Sequence, residues 1–192
     1  MANKVKYGLS NCYYAVYDET AGTYGTPVAM PGAVNLSLDQ EGDTNKFRAD
    51  NIDYYVSISN NGYSGDLELA LVPDSFRTDV MGETVDSTSG LQYEVADANP
   101  KAFALLFQFE GDDHATRHVL YYCKASRPTL ASQTTEETIE PVTETINLTA
   151  TAIIKTVAGA SKPLVKAKCK PTDTAYSTFF TAVQLPSATA ST

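Results

Sequence analysis

His114 and His118, the only histidines in the chain, have a spacing that could support metal binding. Four residues apart on a helix, they would lie on one face and could hold zinc. The residues between them are Ala-Thr-Arg, without the glutamate of a metalloprotease, and the surrounding pattern is typical of a strand. On a strand the two positions would stand roughly 13 Å apart. We therefore predict structural roles for both histidines and no metal site.

Two acidic clusters could bind calcium or move protons. Asp39, Glu41 and Asp43 occupy alternate positions, as at the start of a calcium-binding loop, but a glycine stands at the fourth position rather than the sixth and no glutamate falls at the twelfth. The segment 112–114, Asp-Asp-His, could form a general acid–base pair. Because this segment follows a glycine, the tip of a hairpin explains it more simply. We predict a solvated charged loop and a hairpin tip for the two clusters.

The patterns of covalent catalysis and phosphate binding are absent from the sequence. No serine stands in a GxSxG elbow, and no glycine-rich loop precedes a lysine and a hydroxyl residue. Cys12, Cys123 and Cys169 form no CxxC pair, and since no signal peptide is recognisable we expect them to be reduced and structural. We therefore predict that the protein is not an enzyme and that it binds no cofactor.

The net charge of −9 is distributed unevenly along the chain. Residues 1–96 contain 14 acidic and 5 basic side chains, whereas residues 97–192 contain 9 of each. An acidic surface repels phosphates, which argues against a typical nucleic-acid-binding domain. Two interpretations remain open: simple solubility, or a surface that faces nucleic acid without adhering to it. Since no run of 18 apolar residues is present, we predict no transmembrane helix and no membrane partner.

The elements that position these residues are predicted to be mainly β, because short alternating runs are punctuated by Gly, Thr, Ser and Asn and long helical periodicity is absent. We predict strands over residues 12–17, 33–41, 54–59, 63–72, 102–109, 116–125, 142–154 and 164–169. The predicted loops cover residues 40–53, 84–100 and 155–163, and a strand at 91–95 stays open as an alternative within the second loop. We expect one domain over residues 1–186 and a flexible C-terminal tail over residues 187–192.

The segment 60–82 contains the clearest local signals. Asn61-Gly62 is typical of a tight turn, and we expect it to join two strands of a hairpin. The apolar face of the following strand would carry Leu67, Leu69 and Leu71. A proline should end that strand, and a short helix over residues 75–81 should follow and end at a glycine.

The order and spacing of several segments resemble the major tail proteins of phages with long non-contractile tails. The segments that carry the resemblance are Tyr24 to Leu38, Phe47 to Asn51, Gly62 to Val80, Phe103 to Glu110, Asp113 to Tyr121, and Arg127-Pro128. The resemblance covers most of the chain, from about Lys4 to Pro186, although none of its motifs is chemical.

The resemblance implies a tail-tube-type β-sandwich or partial barrel with one or two short flanking helices. Six subunits would close into a ring that completes a β-barrel, and rings would stack into the tube through which genomic DNA leaves the virion. The implied partners are other copies of the chain, the tail terminator, tape measure and distal tail proteins, and phage DNA that passes without specific binding. The protein would be made in the host cytoplasm and reside in the virion tail.

Two sets of candidate residues follow from this interpretation. Carboxylates that line a channel would keep DNA from adhering. The candidate lumen-facing residues are Asp66, Glu68, Asn35, Ser37 and Asp39. The charged loop at 40–53 has too few apolar residues to order alone, so it could order when rings stack; a disordered surface excursion is the alternative. The ring-stacking candidates in this loop are Asp43, Lys46, Phe47, Arg48 and Asp50.

Three alternatives to a phage tail tube stay open at this point. A monomeric β-sandwich that binds carbohydrate or protein would have an aromatic-lined groove and no ring contacts. An enzyme built on the acidic segment 112–114 would need a coherent site, which the sequence does not offer. A secretion-system tube protein of the same fold would share the features described above.

Overall fold

The computed structural model describes residues 7–110, 115–132, 134 and 142–188, and these residues are mainly β. The strands, in chain order, are β1 (Leu9–Asp18), β2 (Thr23–Tyr24), β3 (Val28–Ala29), β4 (Ala33–Glu41), β5 (Thr44–Ala49), β6 (Ile52–Ile58), β7 (Gly62–Leu69), β8 (Thr84–Val85), β9 (Gln92–Tyr93), β10 (Phe103–Phe109), β11 (Arg117–Ala125), β12 (Glu144–Thr151), β13 (Ile153–Val157), β14 (Ala160–Leu164) and β15 (Lys166–Cys169). Between β7 and β8, helix α1 (Asp74–Phe76) continues as a π-helical turn (Arg77–Met81).

Nine strands form one antiparallel sheet in the order β2-β1-β10-β11-β12-β7-β4, with β3 added beside β1 and β15 beside β11. The pairs β5–β6, β8–β9 and β13–β14 are two-stranded hairpins outside this sheet. The predicted fold class is confirmed: the fold is mainly β with one short helix, it is consistent with a β-sandwich, and the described strands do not close into a barrel.

The large sheet is staggered at β11. Residues 122–125 of β11 pair with β12, whereas residues 117–120 pair with β15. On the far side of β12 lie β7 and then β4. Contacts between β4 and β1 bring the two outer parts of the sheet toward each other. The sheet therefore curls, and its concave face encloses the larger core.

Alternate residues of β7 and β12 point into the concave core, which α1 covers. Phe76 on α1 packs edge-to-face against Tyr14 and Phe103, with ring centroids 5.0 Å and 5.2 Å apart. Tyr14 Oη donates a hydrogen bond to Asp79 Oδ2 at 2.8 Å, which satisfies a buried hydroxyl. The helix predicted over residues 75–81 is thus present, and its function in the fold is to close this core.

The opposite face of β1, β10 and β11 holds a smaller core beneath residues 175–185, which make turns rather than a regular helix. Phe179 is buried there, and Tyr121 Oη donates a hydrogen bond to the carbonyl oxygen of Gln184 at 2.9 Å. Because β10 is covered on both faces, residues 103–107 are all buried. The strand predicted over residues 102–109 is thus present as β10, and its first five residues are buried on both faces.

Two glycines allow β7 to lie between its neighbours. Gly62 and Gly65 have φ angles of +113° and +156°. A Cβ on Gly62 would stand 1.9 Å from the carbonyl oxygen of Ala150, and a Cβ on Gly65 would stand 2.0 Å from that of Ser37. Neither position can hold a side chain without movement of a neighbouring strand. Gly62, with its positive φ and no side chain, therefore allows β7 to lie close to β12.

Several predictions of local structure are wrong. The segments on either side of Asn61-Gly62 do not pair with each other, since β6 pairs with β5 while β7 lies between β4 and β12. The apolar face of β7 ends at Leu69, so Leu71 is exposed. The predicted loops at 40–53 and 155–163 are instead occupied largely by the hairpins β5–β6 and β13–β14. For the hairpins, pairing with a partner strand overrides the local turn signal.

The predicted flexible tail begins with two ordered contacts. The backbone N–H of Ala158 donates to the carbonyl of Ser187 at 3.0 Å, and that of Gly159 donates to the carbonyl of Ala188 at 2.7 Å. Residues 187–188 are therefore attached to the β13–β14 turn, and residues 189–192 lie outside the described part of the chain.

Candidate interaction surfaces

The five candidate lumen-facing residues lie together on the open face of β4 and β7. In the register of these strands Asn35 stands opposite Glu68 and Ser37 stands opposite Asp66, with Asp39 further along β4. The alternate residues of both strands pack toward the concave core, which turns these five outward. Glu68 is half-buried and the other four are exposed. The structure thus brings together all five residues that the alternation selected.

Strand β12 extends this surface by a third row. Its outward residues Thr145 and Asn147 pair in register with Glu68 and Asp66. Asn147 Nδ2 donates a hydrogen bond to Asp66 Oδ1, and Thr143 Oγ1 donates one to Glu68 Oε1 at 2.5 Å. The candidate lumen-facing residues did not include this row. The alternation of residues 143–151 is visible in the sequence, but no local signal indicates which strands become neighbours.

We call these three rows the polar face, which comprises Asn35, Ser37, Asp39, Ser64, Asp66, Glu68, Thr145, Asn147 and Thr149. The polar face contains three carboxylates and no basic side chain. The cover formed by residues 175–185 packs over β1, β10 and β11, and the polar face lies beside it on β12, β7 and β4. Such a surface repels phosphates.

The hairpin β5–β6 stands outside the sheet and exposes large apolar side chains on both of its faces. Tyr54 is 71% exposed and Ile58 is 74% exposed. The exposed apolar residues of the hairpin are Phe47, Ile52, Tyr54, Tyr55, Val56 and Ile58. A single two-stranded hairpin is marginally stable in water, and exposed apolar side chains in this number are typical of an interaction site.

Exposed ion pairs link the two strands of this hairpin. Lys46 Nζ lies 3.0 Å from Asp53 Oδ2, and Arg48 Nε lies 3.2 Å from Asp53 Oδ1. At the base, the backbone N–H of Ser59 donates to the carbonyl of Asp43 at 2.9 Å. These contacts join the two halves of the hairpin and leave its apolar side chains exposed.

The five ring-stacking candidates are distributed over the hairpin from base to tip. Asp43 lies at the base, the candidates at 46–48 lie in β5, and Asp50 lies in the turn with a φ of +51°. The candidate set missed the apolar residues of β6. Their aromatic and β-branched side chains are visible in the sequence, but the strand that carries them was expected to pair with β7.

An open cavity of about 250 Å³ lies at the mouth of the concave core. Its walls include Tyr63, Phe107, Phe109 and His118. The imidazole of His118 stacks on the ring of Phe107 with centroids 5.3 Å apart, which is a structural contact. Lys166 Nζ lies 4.5 Å from the centroid of the Tyr63 ring, at one edge of the cavity.

The remaining candidates for chemistry are His114 with its acidic neighbours, a metal site, and the three cysteines. His114, with the acidic residues before it, lies outside the described residues, so the predicted hairpin tip at 112–114 stays a prediction. Within the described ranges, no group of three or more His, Cys, Asp or Glu side chains is arranged to hold a metal ion.

All three cysteines are buried and form no disulfide. Burial raises the pKa of the Cys12 and Cys123 thiols to about 12, which makes both poor nucleophiles at neutral pH.

No helix in the described part of the chain is long and apolar enough to span a membrane. No protein-family model matches the chain, and a search of curated proteins finds no match either. Function must therefore be inferred from the surfaces themselves.

Proposed function

We propose that this chain is the subunit of a self-assembling phage tail tube of the long, non-contractile type. Six copies close into a ring, rings stack through the hairpin β5–β6, and the polar face lines the lumen through which DNA passes during ejection. The protein acts as a structural component of the virion, without catalysis. Its partners are other copies of itself and the proteins that terminate, measure and cap the tail.

The observation that carries this proposal is the set of large apolar side chains that the hairpin β5–β6 exposes, among them Tyr54 and Ile58. These side chains gain nothing from contact with water. A subunit presents such apolar surface before its neighbours cover it.

A free sheet edge supports ring closure. β4 is nine residues long and, in the described structure, pairs on one side only, with β7. Long unpaired edges invite pairing with another chain and are usually blocked in monomeric proteins. Pairing of β4 with a neighbouring subunit would satisfy its backbone groups and extend the sheet around a closed ring.

The composition of the polar face supports its assignment to the lumen. Three carboxylates without a basic neighbour repel a passing phosphate backbone, and the surrounding Thr, Ser and Asn side chains are neutral and hydrated. The acidic excess of residues 1–96 is concentrated partly here, since Asp39, Asp66 and Glu68 all belong to that half of the chain. DNA could therefore pass along the polar face without binding to it.

Negative-stain electron microscopy of the purified protein tests the proposal. We expect rings, and tubes built from stacked rings, whose abundance rises with protein concentration. Small monodisperse particles at every concentration and salt tested would contradict the proposal. Imaging across a range of salt concentrations also reports whether ring contacts are mainly apolar or ionic, because only ionic contacts between exposed groups weaken strongly with salt.

The aromatic-lined cavity favours a second candidate function, a monomeric binding module. About 250 Å³ of open volume beside Tyr63, Phe107 and Phe109 could accept one ring of a small ligand such as a sugar. This candidate predicts a stable monomer with saturable binding of soluble glycans, measured by calorimetry, together with the absence of tubes under the microscope.

A further inference from the structure

The free edge of β4 lies next to the point where the chain enters β1. Leu9, the first residue of β1, and Ala33, the first residue of β4, line the same open cavity of about 310 Å³. Leu9 is also the register partner of Phe109, which lines the second open cavity, of about 250 Å³, together with Leu36 of β4. The start of β1 therefore adjoins two cavities, and β4 lines both of them.

β4 runs past the start of β1 in the opposite direction. Every pairing on the path from β1 through β10, β11, β12 and β7 to β4 is antiparallel, so β4 is antiparallel to β1. Between β3, which pairs with β1, and β4, the N–H of Met30 donates to the carbonyl of Cys12 at 2.8 Å. The chain thus approaches the start of β1 before β4 begins. The later residues of β4, 35–41, therefore extend along the side on which residues 1–8 precede β1.

The chain leaves β10 at Gly8. The carbonyl of Gly8 accepts the N–H of Glu110 at 2.8 Å, and the φ of Gly8 is +69°, a conformation in which a glycine can turn the chain away from β10. Residues 1–6, which lie outside the described part of the chain, come directly before the exposed Tyr7. Six residues in an extended conformation span about 20 Å. Residues 1–6 are therefore long enough to cover residues 35–40 of β4.

The alternation of residues 4–6 matches the two faces of β4. Inward residues of β4 such as Leu38 are half-buried against the concave core, whereas outward residues such as Asp39 are exposed. Residues 4–6 are Lys-Val-Lys, an apolar side chain between two bases. Opposite residues of antiparallel strands lie on the same face. A register that places Val5 opposite Leu38 therefore also places Lys4 opposite Asp39.

The charges of the two segments are complementary. Residues 1–8 contain Lys4 and Lys6 and no acidic residue, whereas β4 contains Asp39 and Glu41 and no basic residue. Among the described residues, neither of these carboxylates belongs to an ion pair. The outward residues of β7 beside them add two further carboxylates of the polar face. Cross-strand pairs of opposite charge stabilise a sheet, so both lysines favour this edge.

We propose that residues 1–6 pair as an additional antiparallel strand with the free edge of β4 in their own chain. The connection is short, because Leu9 and Ala33 line one cavity, so the segment meets this edge at a high effective concentration. The pairing satisfies the backbone groups of the edge in a single subunit and protects it from chance association. The role of this contact rests on the proposed function: ring closure uses the same edge, so the segment has to leave it when rings form.

A disulfide across the pair tests the contact. Lys4→Cys with Asp39→Cys places both thiols on the outward face, and the three native cysteines are buried. Oxidation of dilute protein should close an intramolecular disulfide, which mass spectrometry of a digest identifies. The matched control is Lys4→Cys with Thr149→Cys, an exposed position at the level of Asp39 but two strands away from β4. The control should close roughly tenfold more slowly, because about 10 Å separates β12 from β4. Equal rates, or intermolecular disulfides alone, would overturn the inference.

The same disulfide tests the link to assembly. The oxidised Lys4→Cys, Asp39→Cys protein should form no rings under the electron microscope, and reduction should restore them, because the bond keeps the edge covered. Lys4→Glu with Lys6→Glu should release the segment by repulsion and should form rings at a protein concentration roughly threefold below that of wild type. Lys168→Glu with Lys170→Glu, the same change at exposed positions outside the polar face, is its control. Loss of rings in the Lys4 and Lys6 variant would show that the segment acts between subunits, which would contradict a contact within one chain.

These outcomes separate the inference from the proposed function. An intramolecular disulfide in a protein that forms no rings in its wild-type form would contradict the tube and leave the strand contact standing. Wild-type rings combined with failure of the intramolecular disulfide would contradict the strand contact and leave the tube standing.

Discussion

Arg77 Nη2 lies 2.9 Å from both carboxylate oxygens of Glu144, and the two side chains are only 15% and 14% exposed. Glu144 Oε2 also accepts the backbone N–H of Val72 at 2.7 Å. On its other side Arg77 Nη1 lies 3.6 Å from Glu83, whose carboxylate accepts a hydrogen bond from Gln92 on β9. One nearly buried charge cluster therefore connects the helical turn after α1, strand β12 and strand β9.

Glu144→Ala should lower the free energy of unfolding by about 3 kcal/mol, because it leaves the guanidinium of Arg77 and the N–H of Val72 without their nearly buried partner. Urea denaturation followed by circular dichroism measures the change. Arg48→Ala is the control, since it removes an exposed ion pair and should cost less than about 1 kcal/mol. Similar small losses in both variants would contradict the structural importance of the Arg77 cluster.

Gly65→Ala should destabilise the protein by at least about 2 kcal/mol, because the new methyl group would meet the backbone of β4 and the positive φ would be strained. Gly25→Ala is the matched control: its Cβ would stand 3.6 Å from the carbonyl of Val16, an ordinary contact, and its φ lies outside the left-handed region. Thermal unfolding should separate the two variants clearly. Wild-type Tm in Gly65→Ala would show that β4 can move away from β7 at little cost.

Charge reversal on the polar face should create affinity for DNA. Asp66→Lys with Glu68→Lys changes two carboxylates into two cations within the polar face, so binding of duplex DNA to assembled protein should rise at least tenfold at low salt and fall again as salt is added. Fluorescence anisotropy of a labelled duplex measures it. The control, Glu19→Lys with Glu110→Lys, places the same charge change at exposed positions outside the polar face. Equal gains in both variants would argue against a lumen formed by the polar face.

Removal of the hairpin should uncouple folding from stacking. Replacement of residues 44–58 by a short Gly-Ser linker deletes β5 and β6, which lie outside the large sheet. The Tm should stay near that of wild type, while electron microscopy should show single rings in place of tubes. Tubes of normal length from this deletion would remove the hairpin from the assembly mechanism.

Stability should be lost at alkaline pH. Burial raises the pKa of the thiols of Cys12 and Cys123, and of the phenols of Tyr14 and Tyr121, to about 12 in the folded state. Both folded and unfolded chains hold these protons below about pH 8, so the four groups add no pH dependence there. Above it the unfolded chain releases them first, and stability falls as the pH rises toward 12.

The alkaline effect can be measured as the Tm between pH 7 and pH 11, which should be flat at first and then decline. A thiol reagent supplies an independent check at pH 8, because the buried cysteines should react only as fast as the protein opens. A Tm that stays constant to pH 11, or immediate labelling of all thiols, would contradict the burial of these groups.

Much of the fold could be predicted because alternation is a local property of the chain. The strand expected over residues 33–41 has those bounds in the structure, and the inward and outward residues of β7 follow the expected pattern as far as Leu69. The same reasoning selected all five candidates that lie on the polar face. It failed for the segment 40–53, where most of a β-hairpin replaces the expected loop.

The amino-acid sequence by itself determined which side of each strand is apolar, because a period of two depends only on consecutive side chains. Tertiary structure alone decided which strands meet, since a strand's face pattern is compatible with many partners and its register depends on distant backbone groups. Asp66 acquired Asn147 as a neighbour in this way, and β6 acquired β5 instead of β7. The polar face is therefore a product of pairing, built from residues whose outward direction the sequence had already set.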